Sequence, residues 1–173
     1  AEHWSESTGS VELPFDPSSL DYFYPRNFVL SDGRVFGFDI EGYMYFLDSD
    51  LQTLTNAGRL APANRGAGSS AVMYEPGKIL QIGGKSSQAV IIDVTGSTPT
   101  VTPTAPLSSH RNWVDAALLP DGRVLSTGGS AFHQQLTGVN NFAEIWDPAT
   151  GQWTIGAEGA VARLYHSTTL LLP

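Results

Sequence analysis

Cysteine is absent from all 173 residues, which excludes a disulfide framework and any thiolate metal site within the chain. Lysine is nearly absent, with Lys78 and Lys85 its two occurrences. Basic residues total 9 against 17 acidic ones, for a net charge of −8. Nucleic acid and anionic membrane both call for a basic patch, so neither is an expected partner. No apolar run approaches the roughly 18 residues of a membrane span. There is no helix-period stretch of useful length, and no phosphate-binding glycine loop, nucleophile elbow or EF-hand spacing. The missing signal peptide and initiator Met give the expectation of a mature or excised chain. What remains, 41% hydrophobic and 15% charged, is an ordinary globular composition, with enough length to bury a core. Scarce lysine beside abundant Gly, Ser, Thr and Pro suits a secreted β protein.

One phrase dominates the sequence: an apolar strand, a tight turn, a second strand. It reads Asn27 to Phe36 around Asp32-Gly33, then Ala71 to Leu80 around Pro76-Gly77, then Ala117 to Leu125 around Asp121-Gly122. A fourth copy opens at Thr169-Leu170-Leu171-Leu172-Pro173. Gly33, Gly77 and Gly122 are spaced by 44 and 45 residues. All-β repeats of roughly 40–50 residues are four-stranded blades, so the period predicts an all-β propeller segment. The expected layout is three full blades at 22–60, 66–107 and 110–159, the outer strands of another at 1–14, and the inner strand of the next at 162–173. Two bare ends give the further expectation that the remainder of the propeller, or a second copy of the chain, docks there.

Within each blade the second strand ends at Gly37-Phe38, Gly83-Gly84 or Gly128-Gly129. Third strands are expected at Tyr43–Asp48, Ala89–Asp93 and Ala143–Asp147, each rich in β-branched or aromatic residues and ending in Asp, a good turn opener. Fourth strands carry Val101 and Trp153. Ala1 to Gly9 aligns with Ala143 to Gly151. Trp4, Trp146 and Trp153 fall at outer positions and are expected to fill the junctions between blades.

Antiparallel strands send successive turns to alternate faces of the disc. The Asp-Gly turns belong on one face. On the other belong the lead-ins to the inner strands, together with the one long insertion, 130–142. Arg26, Arg65, Arg111, Trp113, His133, Tyr165 and His166 are therefore expected on one face near the axis. Imidazole is a good copper ligand, and a phenolate completes a tetragonal N,O site. Neighbours on a regular strand point to opposite faces, so Tyr165 and His166 can share a metal only where the lead-in is bent.

The double glycines, Ala143-Glu144-Ile145-Trp146-Asp147-Pro148 and Trp153 are kelch motifs. Tyr24-Pro25-Arg26, Gly68 to Tyr74, Gly77 to Leu80, Arg111 to Gly122 and, most specifically, Arg163-Leu164-Tyr165-His166-Ser167 give a closer likeness. Through them the whole chain resembles the central blades of the galactose oxidase and glyoxal oxidase family of copper-radical oxidases. The resemblance implies that Tyr165 is an axial copper ligand and catalytic, and that His166 is an equatorial ligand. It implies a secreted parent that oxidises a primary alcohol, an aldehyde or a carbohydrate with O2, giving H2O2. The family site also uses a second His from a later blade and a Tyr cross-linked to Cys from earlier ones. With no cysteine, the Tyr-Cys radical cofactor cannot form within this chain. Two ligands alone would bind copper weakly.

Arg111, Trp113 and His133 are candidates for the substrate pocket, with blander readings beside them. Arg111 and Arg163 can instead pair with Glu144 or Glu2. His110 can touch a polyol or simply bond backbone, and His133 can be a solvated loop residue. In non-enzymatic kelch repeats the His of Arg-x-x-His-Ser packs or bonds backbone. The alternative function is thus a kelch propeller that binds a glycan or a protein on the same face.

Overall fold

The computed structural model describes residues 2–12 and 23–172. The expected blade start at Tyr22, residues 13 and 14, Ala1, Pro173 and the side chain of Glu2 lie outside the described residues. An N-terminal hairpin pairs β1 (Glu2–Ser5) with β2 (Gly9–Glu12). Three four-stranded sheets follow. The first contains β3 (Arg26–Val29), β4 (Val35–Phe38), β5 (Tyr43–Asp48) and β6 (Thr53–Arg59). The second contains β7 (Ser69–Glu75), β8 (Lys78–Gly83), β9 (Ala89–Asp93) and β10 (Thr100–Thr104). The third contains β11 (Asp115–Leu118), β12 (Val124–Thr127), β13 (Phe142–Asp147) and β14 (Gln152–Glu158). Each sheet pairs its strands antiparallel and in chain order, as in the blades of a kelch-type propeller. The chain is all-β, a partial propeller.

Sequence dictates the blades through alternation. β8 of the middle blade is buried along almost its whole length because both its faces are covered. Ile79 joins Phe36, Phe38, Met44, Phe46, Ile92 and Val94 at the first junction. Leu80 and Ile82 turn the other way, toward Val114, Val124 and Trp146 at the second. Trp146 is fully buried, donates from Nε1 to Thr104 Oγ1 at 3.1 Å, and sets its ring edge against Tyr74 at 4.9 Å. Trp153 donates to the Ala105 carbonyl at 2.8 Å. These two tryptophans fill a junction; Trp4 is 67% exposed instead, because the hairpin that carries it pairs with no other strand among the described residues.

The double glycines form the seam between blades. Gly84 N–H donates to the Arg111 carbonyl at 3.0 Å, and Gly129 N–H to the Arg163 carbonyl at 2.8 Å. A Cβ on Gly84 would stand 2.5 Å from the Arg65 carbonyl oxygen, at a φ of +87°. Close approach and left-handed backbone both require glycine there. Each seam fixes the lead-in of the following inner strand.

Residues 162–172 do not form the expected inner strand. A strand needs a ladder of partners, and among the described residues the backbone of this segment makes two isolated bonds: Gly129 N–H to the Arg163 carbonyl, and Ser167 N–H back to the Leu164 carbonyl at 2.9 Å.

Candidate functional site

The lead-ins of the three inner strands and the segment from Arg163 to Ser167 meet around a cavity of about 390 Å³, lined by Tyr24, Arg26, Gly68, Trp113, Tyr165 and His166 among others. Local chemistry explains how each arrives. Arg26 is desolvated, and burial pushes its guanidinium pKa down to about 10. It donates to the carbonyls of Tyr24, Ala67 and Ser69, and so ties the first lead-in to the second. Gly68 lets the third lead-in lie directly on the second: a Cβ would stand 2.7 Å from Trp113 N, and Trp113 N–H donates to the Gly68 carbonyl at 2.8 Å. The Arg163 to Ser167 segment is held by Ser167 Oγ, which donates to Asp115 Oδ2 at 2.8 Å.

Tyr24, Trp113 and His166 all have left-handed backbone, with φ of 51°, 62° and 68°. That region costs a non-glycine residue about 1 kcal/mol or more. Three such residues around one cavity mark it as a place where packing is subordinate to position.

The bent lead-in anticipated for Tyr165 and His166 is what the structure has. A turn at Leu164 to Ser167 brings their rings into a stack with centroids 3.7 Å apart. Tyr165 also packs on Trp113 at 4.2 Å, and Tyr24 sets its ring across Trp113 at 5.7 Å. The hydroxyls of Tyr24 and Tyr165 share a hydrogen bond. That bond, with some desolvation, raises the Tyr165 pKa above the usual phenol value. Burial likewise raises the pKa of Asp115, partly offset by the Ser167 hydroxyl.

His133 sits outside the cavity lining, but the 130–142 loop carries it onto Trp113. Its Nδ1 accepts from the indole Nε1 at 2.9 Å. Arg111 must be withdrawn as a pocket residue. It is fully buried and ion-paired to Glu144 at 2.7 Å, and its other N–H groups reach the Gly128 and Phe142 carbonyls. Its direction follows from β13, which presents Glu144 to the same junction. His110 contacts the Gly84 carbonyl at 2.8 Å, and Arg65 donates to Leu60 O at 2.7 Å. Arg163 is exposed and has no acidic partner among the described residues. The contact between Tyr24 and Tyr165 was not foreseen. Its signal was present: Tyr24 precedes an inner strand at a lead-in, as Tyr165 does.

The fold is shared with solved propeller structures. A fungal alcohol oxidase of the AA5 family, solved in complex with copper, superposes with a TM-score of 0.86 at 24% identity over 96% of this chain. YjhT superposes with a TM-score of 0.71 at 16% identity over 94% of it. The chain spans 40% of the fungal oxidase and 63% of YjhT. No protein-family model and no curated protein matches the sequence.

The cavity residues bear directly on copper. Among the described residues no three His, Cys, Asp or Glu side chains cluster. Two phenols and one imidazole line the cavity, residue types whose oxygen and nitrogen atoms can ligate copper(II). A thioether-linked tyrosine cannot form within this chain, because the sequence holds no cysteine.

Proposed function

We propose that this chain forms part of a secreted, copper-dependent oxidase that converts a primary alcohol or aldehyde and O2 into the oxidised product and H2O2. The observation that carries this reading is the stacked Tyr165–His166 pair on a bent lead-in beside the cavity. Copper, when bound, supplies the electron-transfer chemistry, and the protein supplies orientation. Tyr165 and His166 hold the metal. For an alcohol, the balance is two electrons and two protons passed from a C–H and an O–H to O2.

The Tyr165 side chain lines the cavity. It is the group positioned to exchange a proton with a substrate hydroxyl. Trp113, held by His133 at the indole N–H, forms an apolar wall for the carbon skeleton and keeps water from that side. A cavity near 390 Å³ suits a small molecule or a single sugar.

The test is copper titration of this chain beside its Tyr165→Phe and His166→Ala variants, with peroxide production measured on the full-length parent. Copper binding that weakens in both variants supports the reading. Stoichiometric binding that survives both places the metal elsewhere.

A glycan-binding propeller is the second reading. It is favoured by the rings of Tyr24 and Trp113 at the same cavity, since sugars stack on aromatic faces. Retention on a glycan matrix in the presence of a chelator would select it.

A further inference from the structure

We propose that the cavity binds a small organic cation, a protonated amine seated between the carboxylate of Asp115 and the rings of Tyr24 and Trp113. Amine binding itself needs no metal. Joined to the oxidase reading above, on which this step rests, it makes the substrate an amino alcohol. The first argument is the carboxylate. Asp115 opens β11, lines the cavity and is half-buried. Its Oδ2 accepts from Ser167 Oγ at 2.8 Å. Among the described residues no Lys or Arg pairs with it. Burial without an opposite charge raises its pKa. A desolvated carboxylate is unfavourable unless both its charge and its lone pairs are met. A ligand hydroxyl meets only the lone pairs. An ammonium meets both, and charge-assisted hydrogen bonds are roughly twice as strong as neutral ones.

The second argument is the walls. Tyr24 and Trp113 both line the cavity, with ring centroids 5.7 Å apart and planes at 74°. Rings at such an angle bound a space on two sides, and aromatic faces attract a cation within about 6 Å of the centroid. Trp113 is fixed at both ends. Its backbone N–H donates to the Gly68 carbonyl at 2.8 Å, and its indole N–H to His133 Nδ1 at 2.9 Å. A ligand that finds its walls already in place loses less freedom on binding. Trp113 and Asp115 stand two residues apart, so one lead-in carries both a wall and the carboxylate.

The third argument is charge. Arg26 is the other formally charged side chain of the lining. It turns its N–H groups to the carbonyls of Tyr24, Ala67 and Ser69 and leaves Asp115 without a counter-charge. The net charge of −8 draws cations toward the protein in preference to anions. A ligand carboxylate would meet Asp115 as a like charge.

The experiment uses three small alcohols of nearly equal size: ethanolamine, ethylene glycol and glycolate. Each is titrated into this chain at neutral pH with a chelator present, and binding is followed by the NMR shift of the Trp113 indole N–H. Ethanolamine binds about tenfold or more tightly than ethylene glycol, and glycolate does not bind. In Asp115→Asn, whose amide oxygen still accepts from Ser167, ethanolamine falls to the level of the glycol. Ser167→Ala keeps the carboxylate and keeps the preference, and circular dichroism confirms that both variants are folded. Equal affinity for the three alcohols, or a preference for ethanolamine that survives Asp115→Asn, overturns the proposal and leaves the copper titration standing. A preference for ethanolamine beside a failed copper titration upholds the amine site and removes the oxidase reading.

Discussion

The two faces of this arc are built from the same repeat and behave in opposite ways. On the turn face two of the three copies agree almost atom for atom. Arg34 bonds Asp32 through its backbone N–H at 3.1 Å and through Nε at 2.9 Å. Arg123 does the same to Asp121, at 3.1 and 2.8 Å. Pro76-Gly77 sits in the middle turn, bracketed by a Glu75–Lys78 ion pair at 2.7 Å. On the lead-in face no two copies agree. Arg26 ties two lead-ins, Arg65 bonds its own loop, Arg111 is an ion-paired core residue and Arg163 reaches solvent. One face preserves a fold; the other has been freed to place particular side chains.

The sharpest way to break this comparison uses one residue type on both faces. Arg111→Ala leaves Glu144 buried without its partner, and losses of that kind run about 3–5 kcal/mol. Arg123→Ala removes a solvated pair on the turn face and should shift a melt by no more than its error. Thermal melts of the two variants decide it, and equal shifts would erase the distinction between the faces.

A smaller effect has the opposite sign. His166 is exposed and held at a φ of 68°, where glycine is at ease. His166→Gly should therefore be neutral or stabilising by up to about 1 kcal/mol, while copper binding is lost. A clear loss of stability would mean that His166 serves the fold and not the cavity.

The least effect is on pH dependence, and its sign separates the faces again. Asp32 and Asp121 have pKa values below the usual carboxylate range because an arginine side chain bonds each. Their contribution is present above the unfolded carboxylate pKa and lost as pH falls through the folded one. Asp115 is raised by burial, so it opposes the folded state as pH rises through the unfolded carboxylate pKa toward its own folded value. Asp115→Asn should gain stability relative to wild type near neutrality, with the gain shrinking as pH falls through the raised folded pKa and gone below the unfolded carboxylate value of about 4. For Asp121→Asn the difference from wild type should also fade in acid, but as a deficit. Melting temperature against pH for the two variants reads both signs.

How much of this the sequence disclosed follows the same division. The turn face and the strands were legible because a hairpin is a local object. Asp-Gly between apolar runs fixes the turn, and Tyr43–Asp48 and Ala89–Asp93 emerge as strands with the boundaries that β-branched and aromatic residues suggested. The gathering of lead-ins on one face followed from alternation alone. Three things did not. The left-handed backbone at Trp113 and His166 has no signature, since neither residue is glycine or asparagine. Arg111 was poised between a pocket and Glu144, and the choice depended on which side of β13 faced the junction. Tyr24 touches Tyr165 only because three inter-blade angles add up correctly, and no local pattern encodes a sum.

That sum gives the phenol pair a further meaning. Among the described residues the larger strand contacts run within a blade or between adjacent blades, so each junction can flex without consulting the next. The bond between Tyr24 and Tyr165 spans all of them at once, like a clasp across the inner curve of a bracelet. A small opening at any junction, far too small to melt a blade, is multiplied along the arc and appears at the clasp as separation. Integrity of the cavity therefore measures the curvature of the whole arc, and it can be lost while every blade remains folded.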